Sequence, residues 1–151
     1  MELKNIKLVD ILLVEDNPAD IRLTQLAIKK SKLANNLKVV RDGVEAIDFL
    51  KKRGKYQEVT LPALILLDLN LPKKNGLEVL KEIKSDETLK RIPVVILSIS
   101  DAEGDLLASY NLHANCYIKK PVDINEFEKV VKSIGQFWFT IVVLPENDNS
   151  I

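Results

Sequence analysis

Ala63-Leu64-Ile65-Leu66-Leu67-Asp68-Leu69-Asn70-Leu71-Pro72-Lys73-Lys74-Asn75-Gly76 carries one carboxylate out of an otherwise apolar run. Leu64 to Leu67 show no polar alternation, which suits a strand buried on both faces in the middle of a parallel sheet. Asp68 then stands at the strand's carboxyl end. In open α/β sheets the crevice beyond those ends is where ligands and chemistry are placed. Asp is also a common turn residue, so this stretch alone leaves both readings open.

The same punctuation recurs on either side. Ile11 to Val14 form an apolar run that ends in Glu15, Asp16, Asn17 and Pro18. Asn17 is a good N-cap and Pro18 is allowed at the first helical position, while Ile21, Thr24, Ala27 and Ile28 recur at helical spacing. Leu37 to Arg41 read as a second strand, and Asp42 with Glu45 opens a helix whose Val44, Ile47 and Leu50 share a face. Lys51 to Leu61 break the pattern and read as a frayed helix end and an exposed loop. Asn75 with Glu78 caps a helix with Leu77, Leu80 and Ile83 inward. Pro93 to Leu97 are a fourth strand, ending in Ser98. Ser100 with Glu103 caps a further helix, weakened by Gly104 at a cost of ~1 kcal/mol relative to Ala. Cys116 to Ile118 are a fifth strand, stopping at Lys119, Lys120 and Pro121, and Asp123 with Glu126 caps the last helix.

Five strand-then-helix units in alternation imply an α/β fold, a doubly wound five-stranded parallel sheet with helices on both faces. The chain has 151 residues, enough for one domain, placed at residues 1–144 with a frayed tail at 145–151. Its 22 basic residues balance 22 acidic ones, so net charge offers no attraction to nucleic acid or anionic membrane. The sole Cys116 excludes an internal disulfide and suits a reducing compartment. With no leader at Met1 to Leu8 and no run long enough to span a bilayer, the expectation is a cytoplasmic protein that contacts no membrane.

Laid side by side, four strand ends carry functional groups: Glu15 and Asp16, Asp68, Ser98, and Lys120. In the strand order 2-1-3-4-5 of flavodoxin-like sheets the switch point lies between the first and third strands, which gathers the three acids. Like charges ~4 Å apart repel by ~4 kcal/mol at an effective dielectric of 20, so the cluster needs a cation. Oxygen ligands without thiolate or imidazole select a hard ion, and a sparse site completed by water suits Mg²⁺ better than Ca²⁺. Ser98 and Lys120 add a hydroxyl and an ammonium able to hold phosphoryl oxygens. The set describes a phosphoryl acceptor with Asp68 as nucleophile. An aspartyl-phosphate phosphatase would want an acid where Asn70 stands, and Glu15 and Asp16 would repel the phosphate of a flavin.

Val14-Glu15-Asp16-Asn17, Leu67-Asp68-Leu69-Asn70-Leu71-Pro72, Ser98 and Lys120-Pro121 together resemble the receiver domain of two-component response regulators, over roughly Lys7 to Gly135. The resemblance implies phosphorylation of Asp68, a metal held by Glu15, Asp16, Asp68 and the backbone carbonyl of Asn70, a hydroxyl switch at Ser98 with Lys120, a cis proline at Pro121, and a rotating aromatic at Tyr117. It implies a signalling protein that assists its own phosphorylation and dephosphorylation rather than an enzyme. The acidic pair is Glu-Asp rather than Asp-Asp and Ser replaces the commoner Thr; both keep the oxygen chemistry. The alternative is a degenerate receiver serving only as a docking module, which would be expected to lack the acceptor or the lysine.

The Lys51 to Leu61 loop, Tyr110 to Ile118 and Phe137-Trp138-Phe139 resemble the stand-alone regulators paired with cyanobacterial phytochromes, which implies a phytochrome-like sensor histidine kinase as partner. His113 reads as a loop residue rather than a ligand. In the last helix Ile124, Phe127, Val131, Ile134 and Trp138 form one core stripe, while Val130, Phe137, Ile141 and Leu144 lie off it. That second set, together with three successive aromatics from Phe137 to Phe139 that cannot all point inward, marks an apolar surface at Phe137, Trp138 and Ile141 for a homodimer.

Overall fold

In the computed structural model, which describes residues 8–31, 34–98, 114 and 116–134, five parallel strands form one sheet in the order β2-β1-β3-β4-β5. The strands are β1 (Val9–Val14), β2 (Asn35–Val40), β3 (Leu64–Asp68), β4 (Val94–Ser98) and β5 (Cys116–Lys119). The helices among the described residues are α1 (Pro18–Lys30), α2 (Gly43–Leu50), α3 (Gly76–Ser85) and α4 (Ile124–Ile134).

Every residue of β3 and β4 is buried, as the absence of alternation demands. Successive side chains feed two opposite cores. Leu12, Val14, Ile65, Leu67, Val94 and Ile96 pack with Ala46, Ile47, Phe49 and Leu50 of α2 and Val79, Leu80 and Ile83 of α3. Ile11, Leu13, Leu64, Leu66, Val95 and Leu97 pack with Ile21, Ala27 and Ile28 of α1 and Phe127 of α4. Full burial of each such Leu or Ile contributes about 2 kcal/mol. The site stands on these three central strands.

The caps form as the sequence implies. Asn17 accepts from Asp20 N at 3.0 Å with Pro18 opening α1, and Asn75 and Glu78 make a reciprocal box at 2.9 Å each way. Asp123 Oδ1 accepts from Asn125 N and Glu126 N at 2.8 and 3.2 Å. The box on α2 is displaced by one residue: Asp42 accepts from Glu45 N, but Glu45 reaches back to Arg41 N rather than Asp42 N.

Four expectations need correction. Val44 is 43 % exposed, because the inner face of α2 runs through Ala46, Ile47, Phe49 and Leu50. Val79, fully buried, carries the inner face of α3 with Leu80 and Ile83, and Leu77 is only partly covered. Lys51 to Leu61 are not simply exposed: Gly54–Tyr56 make a 3-10 turn, Tyr56 packs against Phe49 with ring centroids 5.0 Å apart and planes tilted by 55° and donates to Glu45, and Val59 and Leu61 lean on the core. Val130, read as lying off the core stripe of α4, packs partly buried against the second core. The helix opened by Ser100 and Glu103, His113, the residue 145–151 tail and the Phe137, Trp138, Ile141 surface lie outside the described residues.

Candidate functional site

Strand register sets the site's geometry before any side chain is considered. Val14 pairs with Leu67, Asp68 with Leu97, and Ser98 with Lys119. Glu15, Asp68, Ser98 and Lys120 therefore end neighbouring strands along one edge. Lys120 N donates to Ser98 O at 2.9 Å just before the cis Lys120–Pro121 peptide bond, tying the last two of these strand ends together.

Local turns hold the acids in place. Asn17 N donates to Glu15 Oε2 at 3.2 Å, and Asn70 N donates to Asp68 Oδ1 at 3.2 Å. The chain then returns over Asp68: Gly76 N donates to Leu69 O at 2.9 Å, and a Cβ on Gly76 would lie 2.3 Å from Asp68 O. Only glycine permits that approach, so α3 begins directly against the backbone that presents Asp68.

Glu15, Asp68 and Ser98 are buried while Asp16 is exposed. One ligand oxygen from each of Glu15, Asp16 and Asp68 lies within 4.8 Å of the others. Lys120 faces them with its side chain 6 % exposed, its Nζ 2.6 Å from Glu15 Oε1, 3.1 Å from Asp20 Oδ2 and 3.3 Å from Asp68 Oδ2. Asp20 is the residue sequence reasoning missed as part of the site. Its place in the first turn of α1 is enough to account for it as a favourable charge at a helix end. A signal was present, since helical side chains lean toward the N-terminus, and the N-terminus of α1 adjoins the end of β1.

The electrostatics are unbalanced. Three carboxylates, Glu15, Asp20 and Asp68, surround one ammonium, and Asp16 adds a fourth acid to the cluster. Burial pushes Glu15 up from 4.5 to about 7; pairing with Lys120 offsets part of this and the nearby Asp68 adds to it. Burial also pulls the Lys120 ammonium down, but its close contacts with Glu15 and Asp20 and the charge of Asp68 outweigh that, and the net displacement is upward. Lys120 is accordingly a fixed cation at neutral pH.

A divalent cation fits this set. Glu15 Oε1 is buried without a partner at hydrogen-bonding angles, despite the ammonium 2.6 Å away, and the donors are all oxygen. Of the other residues singled out in the sequence, Asn70 is exposed beside Asp68, and Tyr117 is half-buried on β5 against the α2–α3 core. No described helix is long and apolar enough to cross a membrane.

With this geometry established, comparisons with known proteins converge. Residues 11–132 match the response regulator receiver domain. Response regulator Rcp1 of Synechocystis is 51% identical over 135 residues, covering 89% of this chain and 92% of its own. A crystal structure of the phosphorylated cyanobacterial phytochrome response regulator RcpA is 53% identical with a TM-score of 0.76, covering 88% of this chain and 95% of that one. The Mn²⁺-bound form of Rcp1 is 51% identical with a TM-score of 0.73, covering 86% and 94%.

Proposed function

We propose a function that proceeds from one premise: the chain belongs to the response regulator receiver domain family. It is a phosphorylation-switched regulator, a single receiver domain over residues 1–144, that takes a phosphoryl group onto Asp68 from a phytochrome-like sensor histidine kinase. The observation that carries this reading is Asp68 itself, 2 % exposed at the end of β3, grouped with Glu15 and Asp16 within 4.8 Å and 3.3 Å from the Lys120 ammonium.

A carboxylate oxygen of Asp68 attacks phosphorus. The new P–O bond forms as the P–N bond of a phosphohistidine breaks, and the leaving imidazole takes the electron pair. Glu15, Asp16, Asp68 and the carbonyl of Asn70 would hold Mg²⁺, which when bound neutralises negative charge gathered around the transferred group. Lys120 supplies a fixed positive charge to the phosphoryl oxygens, and the Ser98 hydroxyl, one residue past the strand position paired with Asp68, donates to one of them. Movement of Ser98 toward that oxygen, followed by Tyr117 on the adjacent strand, passes the change to the surface. The relatives whose names record a phosphorylated form and a Mn²⁺-bound form support both halves of this reading. The protein acts in the cytoplasm as a homodimer through Phe137, Trp138 and Ile141, with no direct contact with nucleic acid or membrane.

The test is the intact mass after incubation with an acyl phosphate. The native protein is expected to gain one phosphoryl group with Mg²⁺ and none in excess chelator, and Asp68→Asn to gain none in either. A phosphoryl gain by Asp68→Asn would overturn the assignment.

A further inference from the structure

Lys120 has three N–H donors and three carboxylates around it, and those carboxylates are not equivalent. Glu15 and Asp68 belong to the acid cluster that fits a cation, and Asp68 is also the proposed acceptor. Asp20 belongs to neither role, and its contact with the ammonium is the one with the angles of a directed hydrogen bond, at 3.1 Å. It is also firmly placed: Asp20 N is bonded to the Asn17 side chain at 3.0 Å, and the next residue, Ile21, is anchored in the core. A charged pair made by a residue outside the acid cluster therefore links α1 to the end of β5, 100 residues apart in sequence.

We propose that Asp20 is a positioning residue for phosphoryl transfer, holding the Lys120 ammonium beside Asp68 when Glu15 and Asp68 are engaged with a cation and an incoming phosphoryl group. The inference rests on Asp68 being the acceptor. Without Asp20, a long side chain with four rotatable bonds has no fixed anion left to orient it, and its charge is smeared away from the phosphoryl oxygens. A displacement of that kind is costly because catalysis by a fixed charge depends on its placement.

The test is the rate of phosphorylation by an acyl phosphate at saturating donor and Mg²⁺, read by intact mass. Asp20→Asn, and Asp20→Ala as the variant that also removes the acceptor, are expected to slow it roughly tenfold while leaving the donor concentration for half-maximal rate unchanged. In a Lys120→Met background, or Lys120→Arg should that variant fold poorly, Asp20→Asn is expected to add less than about twofold, because the partner it acts through is gone or altered. A second readout needs no phosphoryl donor: the ¹⁵N resonance of the Lys120 ammonium, sharp only while the group is bonded and shielded from solvent, is expected in the native protein with Mg²⁺ and lost in Asp20→Asn. Native rates in both Asp20 variants, equal slowing with and without Lys120, or an unchanged ammonium resonance would each overturn the inference. A native protein that takes up no phosphoryl group would remove the functional reading and this inference together. One that is phosphorylated while Asp20→Asn keeps pace would remove the inference alone.

Discussion

Among the described residues two lysines stand 2.6 Å from a glutamate, and the two pairs behave in opposite ways. Lys74 pairs with Glu82 on the surface, both side chains 33% exposed, and Glu82 has a second cation, Lys51, at 3.7 Å. Lys120 pairs with Glu15 in the interior, the two 6% and 0% exposed, and shares its charge with Asp20 and Asp68. At the surface one acid has two cations, and the bond from Lys74 holds the Glu82 carboxyl below the usual range. In the interior one cation has three acids, and burial pushes Glu15 up to about 7. Equal distance conceals opposite charge balance: the first arrangement is locally satisfied, the second is short of positive charge. A fold that retains such a shortage at the ends of its three most buried strands is poised to take up a cation and, beside it, to let a carboxylate react.

The contrast is broken most forcefully at Lys120. Lys120→Met leaves Glu15, Asp20 and Asp68 without their ammonium and is expected to cost roughly 4 kcal/mol in the metal-free protein at pH 8, with part recovered in Mg²⁺. Lys74→Met should be far milder, because its exposed carboxylate keeps water and Lys51. Urea unfolding of the two variants side by side measures the difference, and equal losses would contradict it.

Glu15→Gln sharpens the comparison from the acid side, and its sign is opposite. The native carboxyl titrates near 7 against an ordinary 4.5, so the folded protein binds that proton more tightly than the unfolded chain. Its stability is full below the unfolded value and falls as pH rises from about 4.5 to about 7. Gln removes that fall. In the metal-free protein the variant is expected to gain almost nothing near pH 4.5 and about 3 kcal/mol above pH 7. Thermal unfolding across that range checks it, and a gain independent of pH would show that packing rather than charge is responsible.

How much of this was readable beforehand differs between the strands and their surroundings. An unbroken run from Leu64 to Leu67 has few physical outcomes other than a central strand, and an acid at its end is conspicuous, so the sheet and the grouping of Glu15, Asp16 and Asp68 followed from local chemistry. The unequal exposure of Glu15 and Asp16 did not, because it depends on how the turn into α1 bends and not on residue type. Asp20 was hidden because a sufficient local explanation existed for it while its true partner lay 100 residues away. The Tyr56 turn was hidden for the converse reason. A charged stretch predicts exposure, yet one aromatic ring found Phe49 and a carboxylate on the preceding helix. Val44 and Val130 were misplaced because helical spacing fixes which residues share a face but leaves its rotation against the sheet open by about one residue.

The smallest effect belongs to the surface pair. Glu82→Gln is expected to change stability by about 0.5 kcal/mol or less and to do so less at high salt, as exposed ion pairs do. A loss comparable to that of Lys120→Met would mean that burial does not separate the two networks.

The most direct measurement is chemical trapping of the acceptor. The protein is phosphorylated with an acyl phosphate in Mg²⁺, reduced with borohydride, which converts an aspartyl phosphate to an alcohol, digested and sequenced by tandem mass spectrometry. The account predicts that the reduced residue is Asp68 alone and that it is absent when the metal is chelated. Reduction at Glu15, Asp16 or Asp20, or at Asp68 in the presence of excess chelator, would contradict it.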